Sequence, residues 1–124
     1  IAGVITSFIE MTTTIPQTTT VQELKRKFHI STSSSYANYS FMFGATNSNL
    51  EEIKKIDKNE VAALKIFLGS STGNMLVDDQ DILRDIFLNT DLIIVVHSED
   101  EQIINENLEK YKSKYGSNIP FELH

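Results

Sequence analysis

Two residues of this 124-residue chain stand out of keeping with their surroundings. Lys65 interrupts the apolar run Leu64 to Leu68, and His97 directly follows the apolar run Leu92 to Val96. A run of this length, bounded by a Gly and Ser cluster, reads as a strand buried on both faces, and such a strand does not take an ammonium group without cause. Burial penalises the charged form of lysine, lowers its pKa and makes the nitrogen available as a base or nucleophile. In the plainer reading Lys65 snorkels to the strand end or pairs with a carboxylate. His97, at the last position of a hydrophobic strand, would point a neutral imidazole into the mouth of a sheet, where it could bind a metal or shuttle a proton; the alternative is a histidine that hydrogen-bonds a loop. Glu99, Asp100 and Glu101 beside it read as first-turn residues complementing a helix dipole rather than as ligands. His29 falls in a helix and reads as a packing residue. His124 follows IPFEL and could belong to a fifth strand that reaches a metal.

The elements that must position these residues alternate along the chain. Val4 to Met11 is rich in β-branched and aromatic residues and reads as a strand, followed by a loop in which Pro16 blocks helix and strand alike. Thr20, three residues before Glu23, forms a capping box for a helix through Val21, Leu24 and Phe28, which the Ser-rich piece Ser31 to Ser35 ends or carries to a frayed close. Tyr39 to Phe43 is a second strand. Leu50, Ile53 and Ile56 mark the inner face of a second helix. Leu64 to Leu68 is the third strand, and Asp78 or Asp79 caps a third helix with Ile82, Leu83, Ile86 and Phe87 on its apolar face. The fourth strand is Leu92 to Val96. Ser98 with Glu101 makes another capping box, for a helix through Ile103, Ile104, Leu108 and Tyr111 that stops at Gly116.

Strands separated by helices at a repeat of about 30 residues are βαβ units, which implies parallel pairing. An α/β architecture of this kind is either an open doubly wound sheet or part of a (β/α)8 TIM barrel, a whole barrel needing about 250 residues. Either way chemistry gathers at the carboxyl ends of the strands. The polar stretches MTTTIPQTTT, GATNSN and GSSTGN, with His97, all fall there.

Composition narrows the classes. A net charge of −6 argues against a nucleic-acid partner or an anionic membrane surface. With no cysteine, disulfides and thiolate metal sites are unavailable, which suits the cytoplasm. No apolar run approaches the roughly 18 residues of a membrane span.

The stretches GVITSFIEM, TTTIPQTTT, NYSFMFGATNSNLEEIKKID, ALKIFLGSSTGNMLVDD and LIIVVHSEDEQII together resemble dihydroorotase of the amidohydrolase superfamily, over nearly the whole chain. The resemblance implies a metal-dependent barrel that interconverts N-carbamoyl-aspartate and dihydroorotate in pyrimidine biosynthesis by metal-assisted amide hydrolysis. Lys65 would be the carboxylated lysine that bridges two zinc ions, and His97 a zinc ligand. A carbamate turns a buried cation into an anion paired with metals, which accounts for a lysine in that strand. The loop Gly69 to Asn74 would close on substrate, with Thr72 as a donor. Met11, Thr12, Thr13 and Thr14 replace the family's M-P-N-T, so that Thr13 stands where an asparagine contacts the substrate carboxylate. A hydroxyl is shorter and offers one donor where an amide offers two.

The family's H-x-H pair, its later histidine and the aspartate that acts as general base have no counterpart among these residues. Residues 1–124 are therefore expected to be about half a TIM barrel from the centre of a longer hydrolase domain, with part of a metal site, no catalytic base, a small-molecule substrate and a tendency to homo-oligomerise. Three other readings stand beside this one. They are a related cyclic amidase such as dihydropyrimidinase or allantoinase, an inactive dihydroorotase-like scaffold subunit, and a phosphate-binding module built on GSSTGN, which lacks the G-K-[ST] ending of a P-loop.

Overall fold

The computed structural model describes residues 3–69, 71 and 73–123; Thr72 and His124 lie outside the described residues. Four strands alternate with helices: β1 (Ser7–Glu10), α1 (Val21–Ser34), β2 (Asn38–Gly44), α2 (Leu50–Ile53), β3 (Ala63–Phe67), α3 (Gln80–Leu88), β4 (Ile94–His97) and α4 (Glu101–Tyr115), with a 3-10 turn at Phe121–Leu123. All three strand pairings are parallel and the sheet order is β1-β2-β3-β4. A doubly wound sheet reverses its strand order at a switch point, whereas the wall of a barrel keeps chain order. The fold is therefore half of a (β/α)8 barrel, one of the two architectures left open by the sequence.

Local chemistry explains where the elements begin and end. Thr20 is extended and its hydroxyl accepts the Glu23 N–H at 3.2 Å, but the capping box is only half made, because the Glu23 carboxylate turns to Arg26 at 3.3 Å. At the other end of α1 the hydroxyls of Thr32, Ser33 and Ser34 donate to the carbonyls of Phe28 and Ile30, and the helix stops at an extended Ser35. Asp79 caps α3 through the N–H groups of Asp81 and Ile82. The cap of α4 is not Ser98: the helix starts at Glu101, and Asp100 accepts the Ile103 N–H at 3.0 Å. α2 is a single turn, shorter than the spacing of Leu50, Ile53 and Ile56 suggests, although Ile56 still packs on the core from the turn beyond. β1 is likewise shorter than Val4 to Met11, because it pairs with β2 only from Ser7 to Glu10.

Alternation along each strand sorts the side chains into two faces. Phe41, Phe43, Leu64 and Ile66 point to the helices and are buried with Leu24, Ile53, Val61, Val77 and Ile86; the Phe28 ring meets Phe41 edge-on at 4.8 Å. The opposite face carries Gly44, Lys65, Phe67, Val95 and His97 by register. The apolar face of α3 packs on the core through Ile82, Leu83 and Ile86, but one residue of it and the whole of the α4 stripe are not buried. Phe87, one step round α3 from the fully buried Ile86, is 52% exposed, and α4 buries none of its residues, leaving Ile103 55% exposed. No described helix is long and apolar enough to cross a membrane.

The starts of α1 and α2 are tied together by Glu52, whose carboxylate accepts the Lys55 ammonium at 2.6 Å and the Val21 N–H at 2.8 Å. The Lys55 bond first, and the Val21 N–H second, hold the Glu52 carboxyl below its usual range. A depressed carboxylate contributes stability that is present above its unfolded value of 4.5 and is lost as pH falls through the folded one. Denaturant titrations across that window should show Glu52→Gln losing less stability on acidification than the wild type. Parallel curves for the two proteins would remove Glu52 from the account.

Candidate active site

Lys65 lies in the middle of β3, with Gly44 and Val95 as its register neighbours, and is 6% exposed. It does not snorkel, and no described carboxylate pairs with it. Its Nζ stands 4.6 Å from the centre of the Phe67 ring. Desolvation pulls its pKa below the usual lysine range. His97 closes β4 in register with Phe67, and the two rings stack with centroids 6.1 Å apart at 29°. The Nε2 atom of His97 is 3.4 Å from Glu99 Oε2, and both side chains are partly exposed. Glu99 precedes the cap of α4, so it sits beside the imidazole rather than in a helix turn. The two residues singled out by their chemistry therefore share one face of the sheet, with the Phe67 ring against both.

The loops at the strand ends close over this face. Gly44 has no side chain, and the methyl group of the fully buried Met75 occupies the place its Cβ would take, with Thr12 Cβ 3.2 Å from that point. The Thr12 hydroxyl points to Met75 Sδ at 3.7 Å. Within M-T-T-T it is thus Thr12 that is buried, while Thr13 is exposed. The Val77 N–H donates to the Phe67 carbonyl at 2.8 Å, which fixes the return of the loop after β3. A Cβ on Gly69 would fall 2.7 Å from Glu99 Cβ, so glycine there lets the loops after β3 and β4 meet. Gly73 adopts φ +67 against the Gln17 side chain, a backbone geometry that suits glycine. Of GSSTGN, Ser70 and Thr72 lie outside the described residues, and the two glycines serve packing.

Further polar groups lock the mouth. The buried Asn49 amide donates to the carbonyls of Gly44 and Thr19 at 2.8 and 2.9 Å and accepts the Thr46 N–H at 2.8 Å. Asn47 reaches Asp78 at 2.6 Å. Lys27 pairs with Glu10 at 2.9 Å and donates to the Met11 carbonyl at 3.3 Å. Asn49, Met75, Phe67 and Glu99 were not singled out from the sequence as site residues. GATNSN, a polar cluster at a strand end, hinted at Asn49, and Glu99 was read as a helix-dipole residue beside His97.

A catalytic zinc takes three protein ligands and keeps an open position. Among the described residues no group of three or more His, Asp or Glu side chains could hold a metal ion. What the chain places on one face of the sheet is a buried lysine with no described anion beside it and a partly exposed histidine.

No family model matches the chain. Among solved structures it is similar to the L-hydantoinase (dihydropyrimidinase) from Arthrobacter aurescens, with 30% sequence identity and a TM-score of 0.79, over 92% of this chain and 26% of that one. The chain spans about a quarter of the length of that enzyme. Backbone and sequence agree in this likeness, which supports the reading of the fold as part of a (β/α)8 barrel and does not single out dihydroorotase.

Proposed function

We propose that these residues form one wall of a metal-dependent cyclic amidase of the dihydroorotase kind, which opens and closes the ring between dihydroorotate and N-carbamoyl-aspartate in the cytoplasm. The observation that carries the reading is Lys65, buried on the face of the sheet that bears His97, with no described carboxylate to balance it. Lys65, carboxylated, and His97 would hold the metal, while Thr13 and Thr72 would contact the substrate. Zinc, when bound, supplies Lewis acidity for opening a cyclic amide. Phe67 and Met75 exclude water around Lys65, and Glu99 orients the His97 ring. The remaining ligands and the general base come from other residues of the full barrel. The hydantoinase likeness favours a second reading, in which the ring is a dihydropyrimidine or hydantoin.

The test is metal analysis, the intact mass of the Lys65 peptide and turnover by a full-length barrel protein containing this sequence. Bound zinc, a carboxylated Lys65 and hydrolysis of dihydroorotate in preference to dihydrouracil are expected. Preference for dihydrouracil would select the second reading. Absence of metal and turnover would leave an inactive scaffold. The 124-residue chain alone should not cyclise N-carbamoyl-aspartate. Among the described residues the outer edges of β1 and β4 are unpaired, which supports association of copies of the 124-residue chain, and a sedimentation run of that chain showing only monomer would refute it.

A further inference from the structure

We propose that Phe67 is a positioning residue of this site, its ring setting where both Lys65 and His97 stand. The inference rests on the reading of those two as metal ligands and adds the part that holds them. Lys65 and Phe67 are two residues apart on β3 and so share a face, and Phe67 is the direct register partner of His97. The lysine nitrogen lies 4.6 Å from the ring centre on one side, and the imidazole stacks at 6.1 Å on another.

Apart from this ring, the two candidate ligands have little to fix them. Lys65 makes no described hydrogen bond or ion pair, and the side-chain contact described for His97 besides the ring is Glu99, at 3.4 Å. Phe67 itself is firmly placed. It is 7% exposed, its carbonyl accepts the Val77 N–H, it bridges to Leu76, and the next N–H, of Leu68, donates to the His97 carbonyl at 2.9 Å. A ring on so fixed a backbone is a rigid surface against which a flexible lysine and a rotatable imidazole can rest.

The chemistry of the surface matters as well as its shape. The negative face of an aromatic ring attracts an ammonium group in a desolvated setting. It does so without the localised charge of a carboxylate, which would claim the nitrogen for an ion pair. Phe67 thus allows an unmodified lysine to be buried while leaving its nitrogen without a competing anion. Leucine or methionine fills similar space but has neither the flat surface nor the quadrupole. Tyrosine keeps both.

The test uses NMR on a metal-free full-length barrel protein containing this sequence, selectively labelled at lysine and histidine, as wild type and as Phe67→Tyr, Phe67→Leu and Phe67→Met. In the wild type the Lys65 ε-methylene and the His97 ring protons should show ring-current shifts. Phe67→Tyr should keep them, and both apolar variants should lose them while amide signals of the other lysines and histidines stay in place. Cobalt(II) alone is then titrated, and the response at His97 should need roughly 10-fold more metal or beyond in the apolar variants, the scale on which outer-shell partners act. An unshifted Lys65 ε-methylene in the wild type, or Lys65 and His97 signals indifferent to Phe67→Leu and Phe67→Met, overturns the proposal. If His97 ignores cobalt in every variant while the ring-current shifts follow Phe67, the metal reading fails and the positioning by Phe67 stands.

Discussion

Replacing Lys65 by methionine should make the chain more stable at neutral pH, by about 1–2 kcal/mol, the order found when buried charges give way to apolar groups of similar size. The physical reason is that Lys65 is buried and, among the described residues, has only an aromatic face to compensate its charge. The sign of its pKa shift agrees: a lysine whose folded pKa is lowered by desolvation is penalised in the fold wherever it must be charged. The penalty is fully present below the folded pKa and disappears as pH rises through the unfolded value of 10.5, because in between the unfolded chain binds the extra proton. The advantage of Lys65→Met should therefore be flat near neutrality and shrink in alkaline solution. In the full barrel protein the same substitution should cost more than 100-fold in activity, since the effect on a ligand exceeds that on outer-shell partners, roughly 10- to 100-fold. Denaturant unfolding as a function of pH reads the first effect and turnover the second. A methionine variant less stable than wild type at pH 7 would mean that Lys65 is held by more than Phe67. Gain of stability with loss of function is the pattern of a residue retained for chemistry.

The largest loss of stability should come from Asn49. Its amide satisfies two carbonyls and one N–H, all at the junction of the loops after β1 and β2. Asn49→Ala leaves three polar groups without their partner in a buried place, and at about 1–3 kcal/mol for each buried unsatisfied group the total should reach about 3 kcal/mol or more. Asn49→Asp is the sharper comparison. It keeps the size and the acceptor for the Thr46 N–H, but sets a carboxylate oxygen against the carbonyls of Gly44 and Thr19. At pH 7 it should be no better than alanine, and it should improve on acidification as the carboxyl gains a proton to donate. Equilibrium unfolding of both variants, with hydrogen exchange at Thr46, measures this; a loss below about 1 kcal/mol for Asn49→Ala would show that water replaces the amide and that the lock is dispensable.

The legible parts of the molecule were those where one residue speaks for itself. Lys65 and His97 stand out against apolar runs, and Thr20 and Asp79 cap helices by local geometry that a four-residue window contains. Errors arose where two local solutions compete. Ser98 and Asp100 can each cap a helix, and the choice depends on where β4 releases the chain, one residue later than the apolar run suggests. Ile103, Ile104 and Leu108 do form a stripe on α4, but a stripe says that a face is apolar and not that this part of the chain covers it. The site's supporting residues were hidden for another reason. Met75 acts because its loop returns over Gly44, and Asn49 because two loops converge on it. Neither relation is written in spacing along the chain. Thr12 and Thr13 differ only in which way the backbone turns them, so the exposed position of Thr13 needed the fold.

The order β1-β2-β3-β4 also bears on how the chain assembles. Each strand pairs with the one synthesised just before it, so every loop that must close spans a single βα unit and the entropic cost of closure stays small. Parallel pairing of this kind still joins residues far apart in sequence, such as Ser7 with Asn38 and Leu64 with Ile94, which makes for slower folding than local helical contacts would. Lys65 and His97 belong to successive βα units, on β3 and β4. The buried lysine is held between β2 and β4, and the histidine stands beside its face only through the pairing of β3 with β4, so that one pairing brings the two candidate ligands together.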